Sequence, residues 1–173
     1  MDFFEVVESR RSVRAFKPQP IEPEKLEQLL EAVNRAPSAG NLQAYEVVRV
    51  EDKLNKEKLV EACHHQDFLS EAPLILVFCA NPERNTAKYG ERGETLYALQ
   101  DATIAAAYAQ LAAHALGLAS VWVGAFEEGA VLEILRCPAE WIPVAVMPIG
   151  YANEKPFLMD RRIVDEVFHR WGL

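Results

Sequence analysis

The sequence predicts one domain that mixes helices and strands, as either an α+β or an α/β fold. Helical and strand patterns are interleaved along the chain, but only four or five strands are indicated. One alanine-rich helix, expected over residues 96–117, is far longer than the others. The 173 residues contain no internal repeat and no low-complexity linker, so we expect a single domain over residues 1–173.

In the first half of the chain, residues typical of helix N-termini indicate where two helices begin. Asp2 followed by Glu5 has the pattern of a capping box, which predicts a helix that starts at the third residue. Pro23 suits the first position of a second helix, because the N–H that proline lacks would have no partner there. The predicted elements are helices over residues 3–10, 23–35 and 53–63, and a strand over residues 45–50.

In the second half, a buried strand and the long helix are expected to form the core. The run "PLILVFCA" at residues 73–80 is continuously apolar, as in a central strand. Nine alanines in the long helix let another backbone approach closely, and Gly117 suits the position just after its end. Further strands are expected over residues 119–126 and 142–152, a helix over 129–135, and a polar, mobile loop over 81–95.

The acidic composition argues against several classes of protein. A net charge of −8 and a pI near 5.1 disfavour binding to nucleic acid or to anionic membranes. The longest apolar stretch is interrupted by polar residues such as Asp101 and His114, which predicts a buried helix and not a membrane span. The first residues show no secretory signal, so we expect a cytoplasmic protein.

The cysteines and histidines do not predict a metal site. Cys63, Cys79 and Cys137 are odd in number and widely spaced, and they form no CxxC motif, so free thiols in a reducing compartment are expected. In "CHHQD", neighbouring side chains on a helix would point in different directions and would not converge on an ion. The motifs GxGxxG, GxxxxGK[ST], HExxH and GxSxG are also absent, which removes support for common nucleotide, zinc-protease and esterase sites.

A cluster of cations near the N-terminus stands out from this acidic background. In "ESRRSVRAF", Arg10, Ser12 and Arg14 alternate, so in an extended segment their side chains share one face. Two guanidinium groups and a hydroxyl on one face suit a phosphate, because arginine forms bidentate, charge-assisted hydrogen bonds. The same alternation predicts that Arg11 and Val13 face away from the ligand or contact a partner subunit. A solvated basic patch is the alternative interpretation.

Two later segments have the chemistry of a ligand site but also suit ordinary turns. "PSAGNLQ" offers Ser38, Asn41 and Gln43, whose groups both donate and accept hydrogen bonds, as the edge of a heterocycle requires. "WVGAF" puts Gly124 at the end of a strand, where a missing side chain lets the backbone approach a ligand. Taken alone, an ordinary helix-to-strand turn and a tight turn are the favoured interpretations of these two segments.

Five motifs, taken in order, resemble those of the FMN-dependent nitroreductase family. They are "RRSVRAF", "APSAGNLQAY", "DATIAAAYAQLAAHALGLASVWVGAF", "PIGYANEKP" and a late "RR". The resemblance covers nearly the whole chain, and its specificity lies in the combination. It implies an α+β fold, a three-layer α-β-α sandwich with a mostly antiparallel central sheet. It also implies an intertwined homodimer with FMN at the interface.

The resemblance implies a set of FMN-binding residues. Arg10 and Ser12 would hold the phosphate together with Arg161 or Arg162. Arg14 would lie near the N1/O2 side of the ring. The backbone after Val123 would approach N5, and residues 37–43 would come from the partner subunit. The full implied set is Arg10, Arg11, Ser12, Arg14, Pro37, Ser38, Ala39, Asn41, Gln43, Val123, Gly124, Ala125, Arg161 and Arg162.

The function implied by the resemblance is an FMN-dependent NAD(P)H oxidoreductase. In a ping-pong reaction, NADH or NADPH would give hydride to flavin N5, and a nitroaromatic, quinone or similar flat acceptor would then be reduced. The flavin performs this transfer, so no protein acid or base is assigned. The alternatives are a non-catalytic flavin-binding or storage protein, or a same-fold flavoenzyme such as a dehydrogenase or dehalogenase. Ala44-Tyr45 replaces a Pro-Trp that is frequent in the family, which weakens any transfer of substrate specificity.

Overall fold

The computed structural model describes residues 1–172, in which four strands form one antiparallel sheet. The strands are β1 (Tyr45–Val50), β2 (Leu74–Ala80), β3 (Ala119–Ser120) and β4 (Ile142–Gly150). Their order across the sheet is β1-β2-β4-β3, and every neighbouring pair is antiparallel. With the helices, this sheet makes the fold α+β, as the resemblance implied.

Seven α-helices surround the sheet within the described residues. They are α1 (Phe3–Ser9), α2 (Pro23–Asn34), α3 (Lys53–Ala62), α4 (Phe68–Glu71), α5 (Glu83–Arg92), α6 (Ala98–Ala115) and α7 (Glu128–Leu135). The Asp2 carboxylate accepts the N–H of Glu5, whose side chain accepts the N–H of Asp2, so the predicted capping box is confirmed. Pro23 is the first residue of α2, also as predicted.

The alternation of β2 produces the three layers. Leu74, Leu76 and Phe78 pack against α2 and α6 on one face of the sheet. The intervening residues of β2 pack against α3, α4 and α7 on the other face. Because successive side chains of a strand point to opposite faces, a strand between two helical layers must be apolar throughout. Every residue of β2 is buried, which explains the continuous apolar run and confirms the predicted central strand.

Small side chains bring α6 close to the sheet. Its alanines on the buried face, such as Ala105 and Ala109, are completely inaccessible to solvent. Gly117 follows the helix at φ 77°, and the N–H of Leu118 reaches the carbonyl of Ala113 at 2.8 Å, so the predicted helix end is confirmed. Across residues 1–172, no helix combines the length and the apolarity that a membrane crossing requires.

The segment predicted as a polar loop, residues 81–95, is helical, so that prediction was wrong. It forms α5 and then a π-helical turn (Gly93–Tyr97) that runs directly into α6. Gly90 breaks the regular geometry at φ 58° and ψ −146°, a conformation that suits glycine. The helix is hard to detect in the sequence because its buried positions are Asn85 and Gly93 and not large apolar residues.

The strand predicted over residues 119–126 was too long. Only Ala119–Ser120 form β3, followed by a single bridge from Val123 to Val146 of β4. Val121 and Val123 are buried, so the apolar pattern reflects burial rather than continuous strand pairing. The other predicted elements match the structure to within a few residues at each end.

Candidate functional site

The arginine-containing segment, residues 10–16, leaves α1 and runs along the edge of the sheet. Val13 is 4% exposed, and its N–H donates to the carbonyl of Ser120 at 3.2 Å. Phe16 is also buried and pairs with Ala152 beyond the end of β4. Since Val13 points into the core, the neighbouring polar side chains are directed outward, as the alternation predicted for Ser12 and Arg14.

These outward side chains line one cavity of about 920 Å³, called here the arginine cavity. Its cationic members are Arg10, Arg11, Arg14 and Arg161, and Ser12 lies among them. Within residues 1–172, none of these four arginines forms an ion pair. Since four cations face two carboxylates in its lining, the cavity carries a net positive charge.

Arg10 is partly buried and surrounded by other cations. Burial, and then the nearby charges of Arg161 and Arg11, lower the pKa of Arg10 below its ordinary value. Two carboxylates, Glu8 and Glu154, also line the cavity, but Glu154 accepts the backbone N–H of Arg14. A bound anion such as a phosphate would relieve the repulsion among the guanidinium groups.

Arg11 departs from the predicted alternation. Its guanidinium folds back onto the end of α1 and donates to the carbonyls of Glu8 and of Arg10, the latter at 2.8 Å. The side chain consequently stays beside the arginine cavity instead of facing away from it. The reason is that the carbonyls at the C-terminus of a helix lack partners and attract a nearby cation.

The two late arginines occupy different surroundings. Arg161 lines the arginine cavity, whereas Arg162 pairs with Glu166 at 3.6 Å and donates to its carbonyl. Adjacent residues of an extended chain point in opposite directions, which explains why only one of the two reaches the cavity. The geometry therefore distinguishes two residues that the sequence could not.

Residues 37–43, called here the amide loop, adopt an unusual backbone. A 3₁₀ turn (Ala39–Asn41) follows Pro37, and Gly40, Asn41 and Gln43 have φ values of 56°, 58° and 49°. Left-handed conformations are costly for residues other than glycine, and they cluster where function requires a fixed geometry. The loop that connects α2 to β1 is thus held in a defined shape.

Asp101 on α6 holds this loop in place, and the sequence analysis did not identify it. Its carboxylate is 2% exposed and accepts the N–H of Ala39 at 2.9 Å, the N–H of Ala44 at 3.3 Å and the Asn85 side chain at 3.2 Å. A signal was present, because Asp101 follows Ala98 by three residues on the buried face of the helix. A carboxylate at such a position needs several donors to offset its desolvation.

The polar side chains of the amide loop have local partners. The Ser38 hydroxyl accepts the backbone N–H of Gln43 at 3.0 Å, and the Gln43 amide donates to the side chains of Asn34 and Tyr45 at 3.2 Å each. Asn41 is exposed. The residues of this loop do not line the arginine cavity within one chain.

In the segment from Val123 to Ala125, only some of the backbone polar groups are free to bind a ligand. Val123 is buried, and both its N–H and its carbonyl bond Val146 at 3.0 Å, so it has no free polar group for a ligand. Gly124 and Ala125 are exposed, although the Gln66 side chain donates to the Ala125 carbonyl at 3.3 Å. Gly124 lies four residues past Ser120, hence at most about 14 Å from the backbone beside Val13.

The residues fit a ligand with a phosphate at one end and a ring with polar edges at the other. The arginine cavity supplies unpaired cations, and the exposed backbone after Val123 follows on the same segment as β3. Within residues 1–172, no three histidine, cysteine, aspartate or glutamate side chains come together as metal ligands. The donor set therefore suits an organic phosphate such as FMN.

Comparison with known proteins agrees with this chemistry. The model of the nitroreductase family matches residues 7–66 and 60–151 of the chain. A protein described as FMN reductase [NAD(P)H] from Bacillus subtilis is 31% identical over 96% of this chain and 73% of its own length. An NADH dehydrogenase from Thermus thermophilus is 30% identical over 91% of this chain and 90% of its own.

A solved structure gives the same result for the fold. The NADPH:FMN oxidoreductase of Vibrio harveyi, in complex with NAD⁺, superposes with a TM-score of 0.89 at 26% identity, covering 99% of this chain and 77% of that one. The family model spans far more than half of the sequence, and the relatives span nearly all of it. The chain belongs to the nitroreductase family.

Proposed function

We propose that the protein is an FMN-dependent NAD(P)H oxidoreductase built from one nitroreductase-like domain. The observation that carries the proposal is the arginine cavity, in which Arg10, Arg14 and Arg161 meet without a carboxylate partner among residues 1–172. The names of the relatives support the same chemistry, because they include an FMN reductase and an NADPH:FMN oxidoreductase.

In this proposal each part of the site has a separate task. Arg10, Ser12 and Arg161 would hold the FMN phosphate, and the charge of Arg14 would favour the reduced cofactor. The exposed backbone at Gly124 and Ala125 would offer hydrogen-bonding groups to the polar edge of the ring. When bound, FMN supplies the hydride-transfer chemistry, while the chain positions it and sets its surroundings.

The site becomes complete in a homodimer. The amide loop does not reach the arginine cavity of its own chain, so a partner subunit would bring its amide loop to the flavin. The C-terminal arm, residues 153–172, supports this arrangement because its large apolar side chains are exposed within residues 1–172. Phe157, Phe168 and Trp171 are 87%, 73% and 100% exposed. A twofold dimer would bury such arms and complete two equal sites.

The electron donor is NADH or NADPH, and the acceptor is a flat molecule such as a quinone or a nitroaromatic. A cytoplasmic location is part of the proposal and is supported by the three cysteines, which are free thiols. Burial raises the pKa of Cys63 and of Cys79 to about 12, so neither thiol is expected to act as a nucleophile in this reaction.

The decisive experiment measures flavin binding and flavin reduction separately. The purified protein is expected to be yellow, with one FMN per 19.5 kDa chain, and to lose its visible absorbance when NADH or NADPH is added without oxygen. Arg10→Ala is expected to weaken FMN binding by roughly 2–3 kcal/mol, the scale of a lost charge-assisted contact. Arg161→Ala should weaken it comparably.

The control is Arg49→Ala, because Arg49 lies on β1 and pairs with Glu51 outside the arginine cavity. This variant is expected to bind FMN like the unaltered protein. A colourless protein that cannot be reconstituted with FMN would overturn the proposed function. Unchanged affinity in Arg10→Ala would overturn the phosphate assignment alone.

A further inference from the structure

A second group of cations lies on α5, well separated in sequence from the arginine cavity. Arg84 and Lys88 are four residues apart on α5, so they share one side of the helix about 6 Å apart along its axis, and Arg92 follows beyond the irregular Gly90. All three are exposed, and none forms an ion pair with a carboxylate within residues 1–172. These three residues are called here the basic stripe.

The acidic residues near the basic stripe do not neutralise it. Glu83 and Glu94 line a different cleft, together with Glu140. Glu91 lies between Lys88 and Arg92 in the sequence, but within residues 1–172 it forms no ion pair with either. In a chain with 26 acidic and 18 basic residues, three exposed cations without an ion pair suit an anionic ligand.

The basic stripe adjoins the amide loop. The Arg84 side chain donates to the Leu42 carbonyl at 3.0 Å. Further along, Gly40 has φ 56°, and a Cβ atom built on it would lie 2.5 Å from Lys88 Nζ and would overlap the Tyr89 hydroxyl. The missing side chain at Gly40 leaves room for these two groups beside the loop backbone.

Aromatic rings accompany the cations. The Tyr89 and Tyr97 rings meet edge to face with centroids 5.2 Å apart. Lys88 lies 5.2 Å from the centre of the Tyr89 ring, and Arg92 lies 5.5 Å from that of Tyr97 and donates to its hydroxyl at 3.1 Å. These contacts hold the cations beside flat apolar surfaces, which suits a ligand that has both rings and negative charges.

We propose that the basic stripe binds the phosphate groups of the dinucleotide electron donor and favours NADPH over NADH. This inference rests on the proposed function, because it places the stripe beside the loop that would contact the flavin. A dinucleotide carries a pyrophosphate, and NADPH carries a further phosphate on its adenosine ribose. Three cations, two of them beside tyrosine rings, match the more highly charged of the two dinucleotides.

The test compares donors with and without phosphate groups in the FMN-loaded protein. In Lys88→Gln, the KM for NADPH and the Kd for NADP⁺, measured by calorimetry, are both expected to rise about tenfold. The KM for N-benzyl-1,4-dihydronicotinamide, which has no phosphate, is expected to stay the same. Raising the salt concentration should weaken NADP⁺ binding more in the unaltered protein than in the variant.

Two matched variants isolate the charge. Lys88→Arg keeps the cation and is expected to retain tight NADP⁺ binding. Lys58→Gln removes an exposed lysine from α3, where it lines a different cleft, and is expected to change nothing. Thermal melting of each variant verifies that the fold is intact.

The possible results separate this inference from the proposed function. Equal losses with NADPH and the phosphate-free donor would overturn the inference, and so would unchanged NADP⁺ binding in Lys88→Gln. A selective rise in KM for an anionic acceptor such as 4-nitrobenzoate, with NADPH unaffected, would assign the stripe to the acceptor and also overturn it. A protein that binds no FMN would overturn the proposed function itself.

Discussion

The packed body of the molecule, residues 3–152, and the C-terminal arm use apolar side chains in opposite ways. In the body, Leu76 and Phe78 are completely inaccessible between two helical layers. In the arm, residues 153–172 form only one 3₁₀ turn (Val164–Glu166) and leave Phe168 and Trp171 exposed. The body buries most of its large apolar side chains, with exceptions such as Phe4 and Leu54, whereas the arm leaves its large apolar side chains exposed.

This difference shows which parts of the proposed function one chain can supply. The body presents Arg10 and the amide loop on separate surfaces, each fixed by its own contacts. The arm adds Arg161 to the arginine cavity while exposing its apolar residues. A site that combines these parts depends on both the body and the arm. The substitutions below test the two regions separately.

The largest effect is expected in the centre of the body. Phe78→Ala should lower the free energy of unfolding by roughly 3–5 kcal/mol, because a buried ring is lost and the cavity it leaves cannot collapse fully. Chemical denaturation of the FMN-free protein measures this change. If it cost less than about 1 kcal/mol, the two-layer packing around β2 would be wrong.

For the arm, the expected change is in the free energy of dimerisation and not in that of unfolding. Phe168→Ser is expected to weaken dimerisation by roughly 2–4 kcal/mol, the scale of an aromatic anchor at an interface, as measured by sedimentation equilibrium. The matched control is Leu54→Ser, since Leu54 is 61% exposed but lies on α3 of the body. A monomeric unaltered protein, or equal effects of the two variants, would contradict the role proposed for the arm.

A smaller effect is expected where the body shapes the amide loop. Asp101→Asn replaces an acceptor of three hydrogen bonds with a group that is partly a donor, which should cost roughly 1–3 kcal/mol of stability. FMN binding should weaken as well, because Ala39 and Ala44 lose their fixed positions. Asp67→Asn, at an exposed position that makes no capping bond, is the control and should be neutral. Unchanged FMN affinity in Asp101→Asn would show that the hydrogen bonds accepted by Asp101 do not affect the flavin site.

The smallest effect is expected at the boundary between body and arm. His114 on α6 hydrogen-bonds the Ser9 hydroxyl at 2.7 Å and lines a cavity of about 250 Å³ together with Pro156. Burial, and then the charges of Arg10 and Arg11, lower the pKa of His114 from its ordinary value of 6.5.

The sign of the pH dependence follows from that lowered pKa. Below pH 6.5 the unfolded chain binds a proton at this position more readily than the folded chain, so stability falls as the pH drops and levels off below the folded-state pKa. His114→Gln should remove this contribution in urea titrations between pH 7.5 and 5.5. An identical pH dependence in His114→Gln and the unaltered protein would exclude His114 as its source.

Much of the fold could be predicted from local signals. The capping box at Asp2, the start of α2 at Pro23, the strand at residues 45–50 and the end of α6 at Gly117 all depend on residues close in sequence. The apolar run of β2 indicated a strand covered on both faces, and the structure has that arrangement. The helical nature of α5 escaped prediction because its contacts with the amide loop, through Arg84 and Lys88, are tertiary.

For the candidate site, the sequence determined the chemical types and the tertiary structure decided their directions. The alternation of side chains was enough to predict that Val13 points inward. In a short extended segment, one buried side chain determines the directions in which its neighbours point. The direction of Arg11 depended on the free carbonyls at the end of α1, and the choice of Arg161 over Arg162 depended on the path of the arm. The hydrogen bond from Ala39 to the Asp101 carboxylate joins residues about sixty positions apart. Local patterns report which groups a segment carries, whereas only packing of distant segments determines which groups meet.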